Sequence, residues 1–284
     1  EIDLFGGEPT MMMDTIKEII AYARENEAKW NKRIRFTMTT NATLLTDEMM
    51  DYMDKELENI ILSIDGRKEV NDKVRIRFDG KGSYDQILPN IKKMVAKRDK
   101  NKAHTVRGTF TRENLDFYED VKMMVDEGFR EISIEPVVLV DGYPLALRKE
   151  DLPKIFESYD KLYDELVQKK AEGKEFNFYH FKVDLNGGPC VYKRISGCGA
   201  GFEYVAITPQ GEVYPCHQFV GKEEYKLGSI YDDSYNADLG MSFKKAHIYN
   251  KPKCRNCWAR FYCSGGYQAN NITFNNDINN RYDN

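Results

Sequence analysis

Cysteine is missing from everything before Cys190, and all six cysteines then fall between Cys190 and Cys263. A small secreted disulfide scaffold would be cysteine-dense throughout, so this distribution excludes one and predicts metal ligation in a reducing compartment. Excess positive charge is missing too. A net charge of −4 with a pI near 5.8 lacks the basic footprint of a nucleic-acid-binding chain. No apolar run approaches the length that spans a bilayer, and no secretory signal is recognisable. The expected location is therefore cytoplasmic, with neither nucleic acid nor membrane as partner. There is no low-complexity tract and no repeat beyond an alternation of strand-like and helix-like stretches. Hydrophobic and charged contents of 41% and 31% are those of a globular protein.

The alternation fills the first half. Ile2-Asp3-Leu4-Phe5 reads as a strand and runs through Gly6-Gly7-Glu8-Pro9 into a helix with apolar residues at Ile16, Ile19, Ile20 and Ala23. Two adjacent glycines let a backbone turn sharply and approach something bulky, and Pro9 fits a first helical turn. Further strands are read at 34–40, 59–65, 104–111 and 131–138. Helices are read near 47–55 with Thr46 as N-cap, near 84–98, and from Leu115 with Asn114 as cap. A polar segment, 67–82, separates two of these elements. Repeated βα units of this kind predict a parallel sheet, either a barrel or an open doubly wound sheet. Glu8, Asn41, Asp65 and Glu135 follow strands, which places a ligand site at the carboxyl rim in both folds. Residues 150–171 read as a charged helical connector. Beyond Gly187 come glycine, cysteine and short strands, including a hairpin around Pro209-Gln210-Gly211, a helix near 240–249 and an asparagine-rich tail without a final element.

Cys254, Cys257 and Cys263 form C-x2-C-x5-C, and Cys198 and Cys216 bracket the hairpin, with Cys190 eight residues upstream. Sulfur sites of this spacing suit zinc or an iron–sulfur cluster, and spacing alone leaves both open.

GGEP after one strand, SIDG after a later one, and C-x12-G-x4-C followed by C-x2-C-x5-C together resemble a radical S-adenosylmethionine (SAM) enzyme carrying a SPASM domain. The stretches VRGTFT, ISIEPVV, GPCVYKRISGCGAG, YPCHQFVG and CRNCWARFYCSGG bring the resemblance closest to maturases of six-cysteine (SCIFF, or ranthipeptide) precursors. It implies an α/β fold: a partial (β/α)6 TIM-type barrel without its first βα unit at 1–145, a helical connector at 146–186, and a cysteine-rich SPASM domain, incomplete at its end, at 187–284.

Residue by residue, the resemblance implies that Gly6, Gly7 and Glu8 receive the methionyl amino group of SAM. Ser63 and Asp65 contact SAM, Arg75 pairs with its carboxylate, and Arg107 is a second candidate for that pairing. Thr40 and Asn41 line the rim. Cys190, Cys198 and Cys216 are assigned to one auxiliary [4Fe–4S] cluster, and Cys254, Cys257 and Cys263 to a second. The next cysteine of the family pattern falls at Tyr267, and no cysteine follows Cys263. The C-x3-C-x2-C loop that holds the SAM-reducing cluster is also absent from the sequence, so the chain is expected to be an internal piece that does not cleave SAM alone. His217 stands where sulfatase-maturing relatives tend to carry an aspartate base. The implied activity is thioether crosslinking of a cysteine-rich precursor peptide through a 5′-deoxyadenosyl radical, served by a small-protein electron donor. Alternatives are a sulfatase-maturing or other SPASM peptide oxidase, and a non-catalytic zinc- or cluster-binding module that docks peptides.

Overall fold

Six strands run parallel in the order in which they occur along the chain: β1 (Ile2–Leu4), β2 (Phe36–Thr40), β3 (Leu57–Ser63), β4 (Ala103–Phe110), β5 (Glu131–Pro136) and β6 (Asn177–Phe178). Between them lie helices α1 (Met13–Trp30), α2 (Asp47–Glu56), α3 (Lys68–Val74), α4 (Tyr84–Lys97), α5 (Phe117–Asp126) and α6 (Leu152–Ala171). A doubly wound sheet reverses its strand order at a switch point. None occurs here, so the winding is that of a partial barrel. The computed structural model describes residues 1–140, 142–182 and 195–280, and the chain divides into units Glu1–Lys182 and Val183–Asn284.

In the first unit, the parallel register sorts side chains onto two unlike faces. Phe36, Met38, Ile60, Leu62, Val106, Ile132, Ile134 and Phe178 bury themselves in one core with Ile16, Ile20, Met50, Met53, Ile87, Ile91, Met94, Val121 and Met124 of the helices. Alternate positions carry Asp3, Thr37, Thr39, Asn59, Ser63, Thr105, Arg107, Thr109, Ser133 and Glu135, interrupted by Ile61 between Thr39 and Thr105, and the register aligns them across neighbouring strands. Strands of parallel sheets ordinarily read as continuous hydrophobic runs because both faces are covered. A polar second face marks the side where a ligand belongs.

Several elements differ from the sequence reading. Helix α3 and strand β6 were not expected: α3 falls in the segment read as polar, and β6 has only two residues. Helix α5 begins at Phe117, and Asn114 does not cap it. Instead Asn114 is buried, and its side chain closes a capping box with Thr111 over a short 3-10 turn, Arg112–Asn114. Helix α6, the expected connector, inserts Ile155 and Leu162 into the first unit's core.

In the second unit, β7 (Ala206–Ile207) and β8 (Glu212–Tyr214) form the expected hairpin, and β9 (Gly228–Ser229) adds a third antiparallel strand. Their core contains Ala200, Tyr214, Phe219, Phe243 and Ala269. The helix read near 240–249 spans Ala237–Lys245, because the Asn236 side chain accepts from the Leu239 N–H at 2.9 Å and starts it earlier. The tail, read as lacking an element, holds the helix Gln268–Asn275.

Candidate functional site

Gly6 and Gly7 leave β1 with φ of +93° and +45°, a backbone that side chains rarely adopt. A Cβ at either position would meet nothing within 4 Å. Their main chain is open to a ligand, and a side chain would fill that space. Glu8, expected to accept from an ammonium, is already engaged. Its Oε1 accepts from Thr10 N, Thr10 Oγ1 and Thr40 Oγ1 at 3.1, 2.6 and 2.7 Å, and its Oε2 accepts from Asn41 N at 2.7 Å. The carboxylate thereby caps the 3-10 turn Pro9–Met12 and fastens it to the end of β2. Thr40 and Asn41, read as rim residues, serve as its partners.

Asp65, only 3% exposed, accepts from Arg75 Nε and Nη2 at 2.7 and 3.0 Å and from Thr109 N at 2.9 Å. The buried Asn71 accepts from Asp65 N at 3.2 Å and donates to Ser83 Oγ. Arg75 is thus the bidentate partner of Asp65. Arg107 is exposed, and among the described residues its guanidinium makes no side-chain hydrogen bond or salt bridge. Ser63, Arg107 and Ser133 share one register row across β3, β4 and β5, and Thr109 and Glu135 share another.

Sequence reasoning noted Glu135 but not what holds it. Its carboxylate accepts from Ser133 Oγ at 2.6 Å and is 2.9 Å from His180 Nε2, while His180 Nδ1 is 2.8 Å from Tyr159 Oη. Burial and the Glu135 charge push the Tyr159 phenol up to about 12. The phenol therefore keeps its proton, and the His180 ring bridges it to the Glu135 carboxylate, one ring nitrogen facing each. Burial alone would raise the Glu135 carboxyl, but hydrogen bonds from His180 and Ser133, with the Arg107 charge, bring it below the ordinary glutamate value. A depressed carboxyl contributes stability above its unfolded value, and that contribution is lost as pH falls through the folded one. Urea unfolding between about pH 5 and 3 should show this acid-side loss, and Glu135→Gln should flatten it. An unchanged slope in the variant would mean the carboxylate is not so held.

Asp120 was also missed. It sits fully buried on the apolar stripe of α5 beside Phe117, Val121 and Met124. A lone carboxylate on such a stripe was the available signal. It accepts from Arg67 N and Nε at 3.0 and 2.8 Å and from Asn114 Nδ2 at 3.1 Å, which clamps the turn that follows Asp65.

In the second unit, the Gly201 N–H donates to Pro215 O at 3.1 Å, bringing the Cys198 loop beside Cys216. Burial pushes the Cys216 thiol up, against backbone N–H donors of Gln218 and Phe219 aimed at its sulfur, and the neighbouring Cys198 raises it further. Amide donors on a sulfur suit a metal-bound thiolate. Cys254 is buried, Cys257 and Cys263 are half-buried, and none of the five described cysteines is in a disulfide. Cys190 lies outside the described residues. Among the described residues, no three Cys, His, Asp or Glu side chains converge as metal ligands do. Tyr267 is exposed at the start of the helix Gln268–Asn275, and His217 opens the 3-10 turn after Cys216. Among the described residues, no helix is long and apolar enough to cross a membrane.

Residues 1–116 match the radical SAM superfamily model, and residues 198–258 match SPASM, an iron–sulfur cluster-binding domain. The cysteine-type anaerobic sulfatase-maturating enzyme of Clostridium novyi is 26% identical over 93% of this chain and 72% of its own length. The antilisterial bacteriocin subtilosin biosynthesis protein of Bacillus subtilis is 26% identical over 79% of this chain and 44% of its own length. The solved structure of native anSMEcpe with bound AdoMet superposes with a TM-score of 0.79 at 19% identity, covering 98% of this chain and 78% of that one. This chain carries a radical SAM domain followed by a SPASM iron–sulfur cluster-binding domain.

Proposed function

We propose that this protein is a radical SAM peptide maturase that joins a cysteine sulfur of a ribosomally made precursor peptide to carbon, forming a thioether. The observation that carries the reading is the polar inner face of the sheet, which meets the open Gly6-Gly7 backbone at the carboxyl ends of the strands. Names of relatives that mature sulfatases or build a bacteriocin point to a peptide or protein substrate. When bound, SAM and its clusters supply hydrogen-atom abstraction and one-electron storage, chemistry that no side chain performs.

The residues divide the remaining work. The Gly6 and Gly7 carbonyls accept from the SAM ammonium. Glu8 holds their turn in place through Thr10, Thr40 and Asn41. Ser63 faces the same row as Arg107, and Arg107 is the cation available for the SAM carboxylate. Arg75 and Asn71 act through Asp65, fixing the turn that borders the site. Cys198 and Cys216, with Cys190, hold one auxiliary cluster, and Cys254, Cys257 and Cys263 hold the other.

The likeness to the sulfatase-maturating enzyme favours a second reading, oxidation of a substrate side chain to an aldehyde. Mass spectrometry of the product separates the two: a thioether retains sulfur and loses a pair of hydrogens, whereas the aldehyde formed from cysteine loses its sulfur.

The metal reading is tested by iron, sulfide and zinc analysis of the chain purified and reconstituted without oxygen. Near-equal iron and sulfide with little zinc is the expected result. Zinc without sulfide would overturn it and favour a non-catalytic peptide-docking module.

A further inference from the structure

Tyr159 stands one turn after the buried Ile155 on α6 and packs against the first unit's core. Its hydroxyl lies 2.8 Å from His180 Nδ1. His180 belongs to the 3-10 turn Tyr179–Phe181 that follows β6, and its other ring nitrogen lies 2.9 Å from the Glu135 carboxylate on the polar face of the sheet. The chemistry proposed above gives these three side chains no task. The rings of Phe117, Phe178 and Phe181 meet the Tyr159 ring edge-on, with centroids 5.1, 6.5 and 6.2 Å away. They form an apolar cage around it, while His180 and Glu135 stay partly exposed.

Burial and the Glu135 charge hold the phenol protonated, so it loses an electron readily only when its proton leaves with it. An ionised carboxylate offers only acceptors. The nitrogen of a neutral His180 ring that faces Glu135 therefore carries the hydrogen, and the nitrogen facing Tyr159 is left to accept. Once it has accepted, the imidazolium lies against the Glu135 carboxylate, which stabilises its charge. Tyr163, one turn further along α6 and 59% exposed, meets Phe181 at 6.4 Å and gives this cage a route to the surface. A cysteine-rich peptide beside a carbon radical is prone to one misfire. Its S–H bonds are weaker than its C–H bonds, so hydrogen abstraction strays to sulfur and leaves an oxidising thiyl radical.

We propose that Tyr159 is a redox-active tyrosine, with His180 as its proton acceptor, that returns such a sulfur radical on the bound peptide to the thiolate. An electron passes from Tyr159 to sulfur while the phenolic O–H bond breaks and its proton goes to His180 Nδ1. A phenoxyl radical, an imidazolium and a thiolate result. A thiolate of the medium then supplies an electron through Tyr163, and His180 returns the proton. The tyrosine and its base stand on the geometry of this unit, and the radical they serve rests on the proposed function.

The test first oxidises the purified, oxygen-free chain with flash-generated tris(bipyridine)ruthenium(III) and reads frozen samples by high-field EPR. Exposed tyrosyl radicals decay by pairing, so the radical that outlasts them is expected on Tyr159, its largest g value lowered by the hydrogen bond from His180. Tyr159→Phe should abolish that signal. His180→Phe should slow its formation at least about tenfold, the worth of a hydrogen bond to a charged group left unmade. Both variants keep a ring in the cage. The second probe is a cysteine-rich peptide whose sulfur carries a photocleavable aryl-ketone group, from which a flash frees the thiyl radical. In the presence of the chain that radical should decay several-fold faster with wild type than with Tyr159→Phe, as phenoxyl absorbance rises. A persistent EPR signal that survives in Tyr159→Phe would overturn the proposal, and so would equal thiyl decay with both chains. Thiyl quenching through Tyr159, together with a product that mass spectrometry shows to be an aldehyde, would sink the crosslinking reading and leave the redox tyrosine standing.

Discussion

Asp120→Ala should cost the chain about 3–5 kcal/mol of folding stability, the scale found when one partner of a buried ion pair is removed. The carboxylate is wholly buried and satisfies the Arg67 N–H, the Arg67 Nε–H and the Asn114 amide together. Taking it away leaves the Arg67 N–H and the buried Asn114 amide to find new acceptors, with Asp116 and, at 4.0 Å, Glu69 remaining for the guanidinium. It also opens a void beside Gly66, where a Cβ would lie 2.5 Å from the Asp120 Cγ that alanine lacks. Gly66 has φ of +119°, so the turn after Asp65 has no side chain of its own with which to fill that void. Urea unfolding of wild type and variant checks this, with Asp120→Asn as a milder control that keeps the shape and one acceptor oxygen. Equal unfolding midpoints for D120A and wild type would show that the clamp contributes little.

The second large effect separates two arginines that the resemblance ranked in the other order, Arg75 first and Arg107 second. Arg107→Ala is expected to weaken SAM binding about 10- to 100-fold, the worth of one charge-assisted pairing, while moving the urea midpoint only by the small share that its charge contributes at Glu135. Arg75→Ala is expected to do the reverse in emphasis. It removes the bidentate partner of the buried Asp65 and should lower stability by about 3 kcal/mol, with SAM affinity falling only as far as the loosened turn allows. Calorimetric titration of SAM into each variant, alongside its unfolding curve, gives both numbers. If R107A binds SAM like wild type and R75A does not bind it while remaining fully folded, the carboxylate partner is Arg75 after all, and the Asp65 pair yields to the ligand.

Much of the scaffold is legible without coordinates because it is written in local periodicity. Ile16, Ile20 and Ala23 recur at helical spacing and are buried. The alternation of strand and helix declares a parallel sheet, and the segregation of cysteine beyond Cys190 separates the two kinds of chemistry. The paired glycines announce a backbone that something must approach, and their positive φ values follow from that. Asn114 was legible as a cap but not as which cap. Its side chain chooses between serving the next helix and closing a box on Thr111, and the buried Asp120 decides for the latter by taking its amide.

The sequence by itself determined the element types, the carboxyl rim as the place for polar groups, and the cysteine-bearing second unit. Only the tertiary structure decided strand order, and with it a barrel-like winding in place of a doubly wound sheet. Only the register across crossovers could align Ser63 with Arg107 and Ser133, or bring Glu135 to a histidine 45 positions away and Arg67 to an acid 53 positions away. The physical reason is that a periodic pattern reports which face of its own element a residue occupies. Which residue of another element stands opposite is set by how far each connecting helix carries the chain before the next strand begins, and by which partner a buried charge must find to be stable there.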